Sequence, residues 1–238
     1  MNKEEFINAV SNLGLNLTSQ QQKNLEIYQA FLEEYNKTTN LTTIVNEPDV
    51  YLKHFYDSLT IIKEIDLTKV DTLLDIGTGA GFPGMVLKIC YPYLNVTLLD
   101  SNNKKLTFLE SLKNKLNLEV TLIHGRAEEF ITDNREKFDV VVTRAVASLP
   151  ILCELAIPYL KVNGYFIAMK SNVLEEINAS TTILSKLDSK IININEFELP
   201  HEHSKRTLIK IEKLKPTNHK YPRQYNQIKK EVSNLLTK

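Results

Sequence analysis

Asp71-Thr-Leu-Leu-Asp-Ile-Gly-Thr-Gly-Ala-Gly-Phe-Pro-Gly84 is the stretch that decides the fold. Together with Val70 its first half forms a short apolar run ending at Ile76, the length and composition of a buried strand. Glycines then fall at 77, 79, 81 and 84 before a helical pattern resumes. Such spacing predicts a strand, a tight turn and a helix start, because the turn must take φ above zero and bring backbone close to a ligand.

The glycines alone do not choose the ligand. Gly79-x-Gly81-x-x-Gly84 satisfies the dinucleotide fingerprint, but Asp75 at the strand tip would repel a pyrophosphate seated on the following helix N-terminus. A ligand with an ammonium group would be attracted instead. S-adenosylmethionine carries an amino group, a sulfonium and an adenosine and no phosphate, so it suits an acidic strand end followed by an open glycine loop. The next apolar run, Asn95-Val-Thr-Leu-Leu-Asp100, ends in a second acid about 20 residues further on, where a carboxylate accepts from ribose hydroxyls. The alternative for both acids is helix capping.

Composition bounds the rest. At 238 residues, 42% hydrophobic and 24% charged, the chain is long enough for one full core and ordinary for a globular protein. No apolar run has the length of a membrane span, and Met1-Asn-Lys-Glu-Glu does not open a signal peptide, so a soluble, cytoplasmic protein acting as a monomer is expected. Cys90 and Cys153 both fall in helical apolar patterns, which suits buried thiols rather than a disulfide, and no metal site is expected. Residues 201–238 hold ten Lys and Arg against three Asp and Glu, a surplus cancelled by the acidic balance of residues 1–200. A basic tail of this kind suggests phosphate contacts, with a solvated surface as the alternative.

In chain order, residues 1–66 read as a helical extension packed on the core. One helix is expected from Lys3 to Leu13, a second capped by Thr18 or Ser19 and running to about Tyr35, and a third from Pro48 to about Ile65. Tyr35-Asn-Lys-Thr-Thr-Asn-Leu-Thr42 is dense in short polar side chains; a structural turn is one role, and amides of Asn36 and Asn40 presented to a base edge are another. His54, Asp57 and Ser58 share one face of the third helix, as a satisfied histidine between helices would require.

From Val70 strands and helices alternate, the pattern of a doubly wound parallel sheet, over a core spanning 67–215 with 216–238 as the basic tail. Strands are expected at 70–76, 95–100, 119–124, 138–144, 164–170, 191–199 and 207–213, and helices near 83–90, 102–117, 126–132, 150–160 and 172–188. No helical pattern separates the last two strands, so they read as an antiparallel pair closing the sheet. The fold class is α/β: a Rossmann-like, mostly parallel seven-stranded sheet of the class I S-adenosylmethionine-dependent methyltransferases with an N-terminal helical extension.

Ligands of open α/β sheets bind beyond the carboxyl ends of the strands. Those ends carry Asp75 and Gly77, Asp100, Gly125-Arg-Ala-Glu-Glu129, Thr143-Arg-Ala145 and Lys170. The backbone of Ala127 and Glu128 can read an adenine edge. Arg126, Arg144 and Lys170 converge on the cleft and imply an anionic partner such as nucleic-acid phosphate, or else an ion-pair network with Glu128, Glu129 or Asp139. Thr143-Arg-Ala-Val stands where enzymes acting on exocyclic base amines carry Asn/Asp-Pro-Pro-aromatic, and neither cysteine is placed as the nucleophile that carbon-five methylation needs. A nucleophile whose lone pair is already free, such as guanine N7, remains; its methylation needs positioning and no general base.

Asp75-Ile-Gly-Thr-Gly-Ala-Gly-Phe-Pro-Gly84, Leu99-Asp-Ser-Asn-Asn-Lys-Lys105, Gly125-Arg-Ala-Glu-Glu129, Arg144-Ala-Val-Ala147, Met169-Lys-Ser171 and Lys220-Tyr-Pro-Arg223 together resemble the bacterial small-subunit ribosomal RNA methyltransferase G family, also called glucose-inhibited division protein B. Tyr35-Asn-x-x-x-Asn-Leu-Thr42 and His54-x-x-Asp-Ser58 extend the resemblance into the helical region. It implies methyl transfer from S-adenosylmethionine to N7 of one guanine in 16S rRNA of the small ribosomal subunit. It further implies cofactor contacts at Gly77, Phe82, Ala127, Glu128 and Arg144, beside Asp75, Gly79 and Asp100, and basic residues near the RNA at Lys104, Lys105, Arg126, Lys170, Arg206 and Arg223. Arg144, Arg126 and Lys170 are the expected catalytic residues. After Arg223 the chain departs from the family, reading as polar helix where relatives have a Gly-x-Pro segment. A small-molecule or protein methyltransferase and a non-catalytic ribosome-assembly factor are the rival readings.

Overall fold

The computed structural model describes residues 1–144, 147–171 and 173–236, so Ala145 and Val146 of the fourth strand-end motif lie outside the described residues. Seven strands form one sheet: β1 (Thr72–Ile76), β2 (Asn95–Asp100), β3 (Thr121–His124), β4 (Phe138–Arg144), β5 (Leu160–Lys170), β6 (Ser189–Glu198) and β7 (Lys205–Lys213). Their order is β3-β2-β1-β4-β5-β7-β6. The first five are parallel, and β7 runs antiparallel to both β5 and β6.

The expected antiparallel pair is present, but β7 inserts between β5 and β6, so only β7 runs against the rest. Sequence polarity explains the order. β7 buries Leu208, Ile209 and Ile211, whereas β6 is half exposed and carries Asn193, Asn195, Glu196 and Glu198, which suit an edge strand.

Period-two alternation divides the core into two layers. Leu73, Val140, Val142 and Ile167 face one side, where Phe6, Val10, Leu25, Tyr28, Phe55 and helix Asn103–Leu116 pack. Leu74, Val141, Phe166 and Ala168 face the other, against helices Leu149–Ala156, Leu174–Lys186 and Tyr225–Leu236. The N-terminal helices therefore share one layer of the fold with helices Gly84–Cys90 and Asn103–Leu116. Among the described residues no helix is long and apolar enough to cross a membrane.

Two helices depart from expectation. Ser19–Thr39 continues past Tyr35, because the hydroxyls of Thr38 and Thr39 donate back to the Tyr35 carbonyl (3.1 and 2.7 Å) and Asn40 at φ 53° ends it. The third helical stretch, 47–63, contains a π-helical segment, Val50–Tyr56, that no residue type announces.

Both cysteines are buried, and burial pushes both thiols upward in pKa, away from the nucleophilic form. Replacing both by alanine should cost about 1 kcal/mol or more for each buried side chain, read by thermal melts. Methyl transfer from labelled S-adenosylmethionine should persist. Loss of turnover in a folded double variant would bring covalent catalysis back.

Candidate active site

The glycine loop folds around Asp75. That carboxylate is fully buried, and Oδ2 accepts from the Thr78 hydroxyl (2.7 Å) and the Gly84 N–H (2.8 Å). Gly84 is required there, since a Cβ would stand 2.8 Å from Asp75 Oδ2 and 2.3 Å from Leu98. Gly81, at φ 103°, leaves equal room for Tyr28, whose hydroxyl donates to the Ala80 carbonyl. Burial raises Asp75 to about 6, against the pull of its hydrogen bonds. The sequence aims Asp75 at the ligand; the structure turns it under the loop, on the Leu73 side of β1, where it holds the turn and does not line the cavity.

That cavity, about 530 Å³, opens at the carboxyl ends of β1, β2 and β4. Gly77, Gly79 and Phe82 form its floor, Asp100 one wall, and Ala127 and Glu128 the far end. Asp100 Oδ2 accepts from Gly79 N–H and Oδ1 from Asn102 N–H, both at 2.8 Å. Each oxygen keeps a second lone pair for a diol. The donor set fits S-adenosylmethionine: a carboxylate for the ribose, backbone and apolar surface for the adenine, and no phosphate cradle.

Arg144 stands between this cavity and a second one of about 440 Å³ lined by Lys53, Asp57, Lys170, Glu176 and Arg206; His54 lines both as well. The Arg144 guanidinium lies 5.1 Å from the Phe82 ring centroid, and the His54 ring stacks on the same phenyl ring at 4.1 Å. Its Nη1 donates to the Lys53 carbonyl (2.8 Å) and to Asp57 Oδ2 (3.3 Å), and Nη2 to His54 Nδ1 (3.1 Å). Arginine cannot accept, so Nδ1 is the acceptor and Nε2–H points at the Thr42 hydroxyl (3.3 Å). Asp57 also accepts from Arg206 Nε (3.1 Å).

Burial, reinforced by Arg144, pulls His54 down to about 3. In the unfolded chain the imidazole titrates near 6.5. The unfolded state therefore binds the extra proton between those values, and the stability contribution present above pH 6.5 is lost as pH falls. Between pH 7 and pH 5 the wild type should lose about 2 kcal/mol more than His54→Gln, read by urea melts at both pH values. Asp75 titrates in both proteins and cancels in the difference. Equal pH dependence would remove the neutral, arginine-bound imidazole.

The remaining expected site residues divide sharply. Lys104 and Arg126 are exposed and Lys105 lines the cavity, and none of the three has a carboxylate partner among the described residues. Lys170 is tied to Glu176 (2.8 Å) and the Ala147 carbonyl (2.7 Å), and Arg206 to Asp57. Arg223 lies on the opposite layer, with Nη2 2.7 Å from the buried Glu154 and Nη1 2.5 Å from Glu231. Within residues 201–238, Arg206, Lys213, Lys215 and Arg223 meet acids of this same chain, whereas Lys229 and Lys230 are exposed and have no carboxylate partner among the described residues. Asn36 spends its amide on the loop, accepting from Leu41 N–H (2.6 Å) and Thr42 N–H (3.0 Å) and donating to the Thr42 carbonyl (2.9 Å). Asn40 caps the helix through its backbone N–H and left-handed conformation, which leaves its exposed amide unassigned. His54 and Asp57, read from sequence as structural, hold Arg144; their shared helix face was the available signal.

A sheet of this order and a glycine loop closed by Asp100 define a class I S-adenosylmethionine-dependent methyltransferase. Solved structures share the fold: M. capricolum TrmK in complex with S-adenosyl-homocysteine has a TM-score of 0.52 at 20% identity, covering 68% of this chain and 70% of that one. YcgJ of Bacillus subtilis has 0.54 at 16% identity, covering 68% and 100%. The family model for rRNA small subunit methyltransferase G matches residues 21–206, and the chain belongs to that family. Ribosomal RNA small subunit methyltransferase G of Bacillus subtilis is 45% identical over 94% of this chain and 95% of its own length, and that of Lachnoclostridium phytofermentans 48% identical over 92% of each. The protein is a methyltransferase whose cofactor is S-adenosylmethionine.

Proposed function

We propose that this enzyme methylates N7 of a guanine in the 16S rRNA of the small ribosomal subunit, in the cytoplasm, with the base entering the second cavity and the cofactor held in the first. The family carries the RNA substrate, as the names of its members state. One observation supports the acceptor atom: among the described residues at the junction of the two cavities, His54 and Asp57 are both engaged by arginines and neither is free to act as a general base. His54 holds its Nδ1 lone pair on Arg144 and is too weakly basic, and each oxygen of Asp57 accepts from an arginine, whose charge opposes the rise that burial gives this carboxyl.

Guanine N7 has no proton to lose, so such a junction suffices. Bound S-adenosylmethionine supplies a methyl group activated by its sulfonium, and transfer moves the positive charge onto the base without creating an anion. The chain's task is then alignment. Asp100, Gly77, Gly79, Ala127 and Glu128 would hold the cofactor, and Asp75 would act on it through the loop. Lys104, Lys105 and Arg126, the unpaired cations at the rim, would meet the RNA backbone, each neutralised phosphate adding about −0.7 to the slope of log K against log salt.

Incubation with labelled S-adenosylmethionine and naked 16S rRNA, small subunits or neither tests the reading. Label should enter RNA at a guanine that becomes cleavable by borohydride and aniline, the signature of N7 methylation. Label at an exocyclic amine, or in no RNA arm, would sink it.

A further inference from the structure

The C-terminal helix, Tyr225–Leu236, reaches the cofactor cavity. Tyr225 lines that cavity together with Ala127, Glu128 and Leu155. It also lines the adjoining hollow beside Arg126 and Glu129. Its ring is half-buried and packs against the apolar layer that contains Ala127, and it shares both hollows with Glu128.

Three contacts fix it there. Arg223, two residues before, is gripped by Glu154, which lies one residue before the cavity-lining Leu155. The Tyr221 carbonyl accepts from Arg135 (2.5 Å). Ile228 and Val232, on the following turns, are buried in the same layer. A wall anchored on both sides of Tyr225 is preorganised, and an aromatic face beside a backbone edge is what a purine needs for stacking.

We propose that the C-terminal helix is part of the cofactor site, with Tyr225 closing its adenine end by ring contact. This rests on the assignment of the first cavity to S-adenosylmethionine and deepens it: the tail sets cofactor affinity and makes no contact with RNA.

Calorimetry with S-adenosylmethionine and S-adenosylhomocysteine on wild type, Tyr225→Ala, Tyr225→Leu, Tyr225→Phe and Gly77→Val separates the two levels. Tyr225→Ala should weaken both ligands by the same factor, roughly tenfold, the scale of one base stack, because they share the adenosine. Tyr225→Leu, which keeps apolar bulk and folding, should lose affinity several-fold; Tyr225→Phe should restore it. RNA affinity at saturating cofactor should stay within twofold throughout. Binding by Tyr225→Leu within twofold of wild type, or a change confined to RNA affinity, would overturn the proposal. Normal binding by Gly77→Val would overturn the cavity assignment and the proposal with it.

Discussion

Arg223→Ala should lower the stability of the fold by about 3–5 kcal/mol while leaving the salt dependence of RNA binding unchanged, the range expected when one partner of a buried ion pair is removed. Glu154 is fully buried in helix Leu149–Ala156. Its Oε1 accepts from the Arg223 N–H (2.9 Å) and Nε (2.8 Å), and its Oε2 from Nη2 (2.7 Å). Truncation leaves a carboxylate in the apolar layer with a single backbone donor. It also releases Glu231, whose Oε2 accepts from Nη1 (2.5 Å) and whose carboxyl this hydrogen bond holds below its ordinary range against the opposing effect of burial. A Lys at 223 keeps the charge and loses the fork, so Arg223→Lys should recover only part of the deficit. Urea melts give the stability, and RNA affinity at three salt concentrations gives the slope. Near-normal stability with a slope reduced by about 0.7 would restore Arg223 as a phosphate contact.

The contrast between that arginine and the glycine loop shows what a sequence carries. Val70 to Ile76, Gly77, Gly79, Gly81 and Asp100 were legible because a buried apolar strand, positive φ and an acid at a strand tip are local demands. Asp75 was legible as important and not as to direction: alternation assigns it to the Leu73 side of β1, but only the packed helix Gly84–Cys90 makes that side the underside of the loop. Charge was the least legible. Ten basic residues in one segment read as an arm for phosphate, yet Arg206, Lys213, Lys215 and Arg223 meet Asp57, Glu136, Asp188 and Glu154. Composition records a surplus and cannot say which acid, far away in the chain, neutralises it. His54 was legible as a satisfied histidine but its partners were not, for a related reason, since they come from 42 and 144, on other elements.

Arg144→Ala should slow single-turnover methyl transfer at saturating cofactor by about 10²–10³, the loss typical of removing a preorganised donor, while changing RNA affinity less than threefold. Three hydrogen bonds from its guanidinium go to the Lys53 carbonyl, Asp57 and His54. Its Nε–H and one Nη2–H have no partner among the described residues, and the residue lines both cavities. Two donors left between the two cavities suit an acceptor's carbonyl oxygen such as guanine O6, offered by an arginine that Lys53, Asp57 and His54 hold in place. Arg144→Lys, one flexible ammonium, should therefore remain more than tenfold slow despite its charge. Asp57 retains Arg206 in both variants, so folding should suffer less than turnover. Rates from rapid quench and cofactor affinity from calorimetry decide it: a normal rate in Arg144→Ala would place acceptor alignment elsewhere, and a loss explained wholly by weaker cofactor binding would make Arg144 a wall of the first cavity alone.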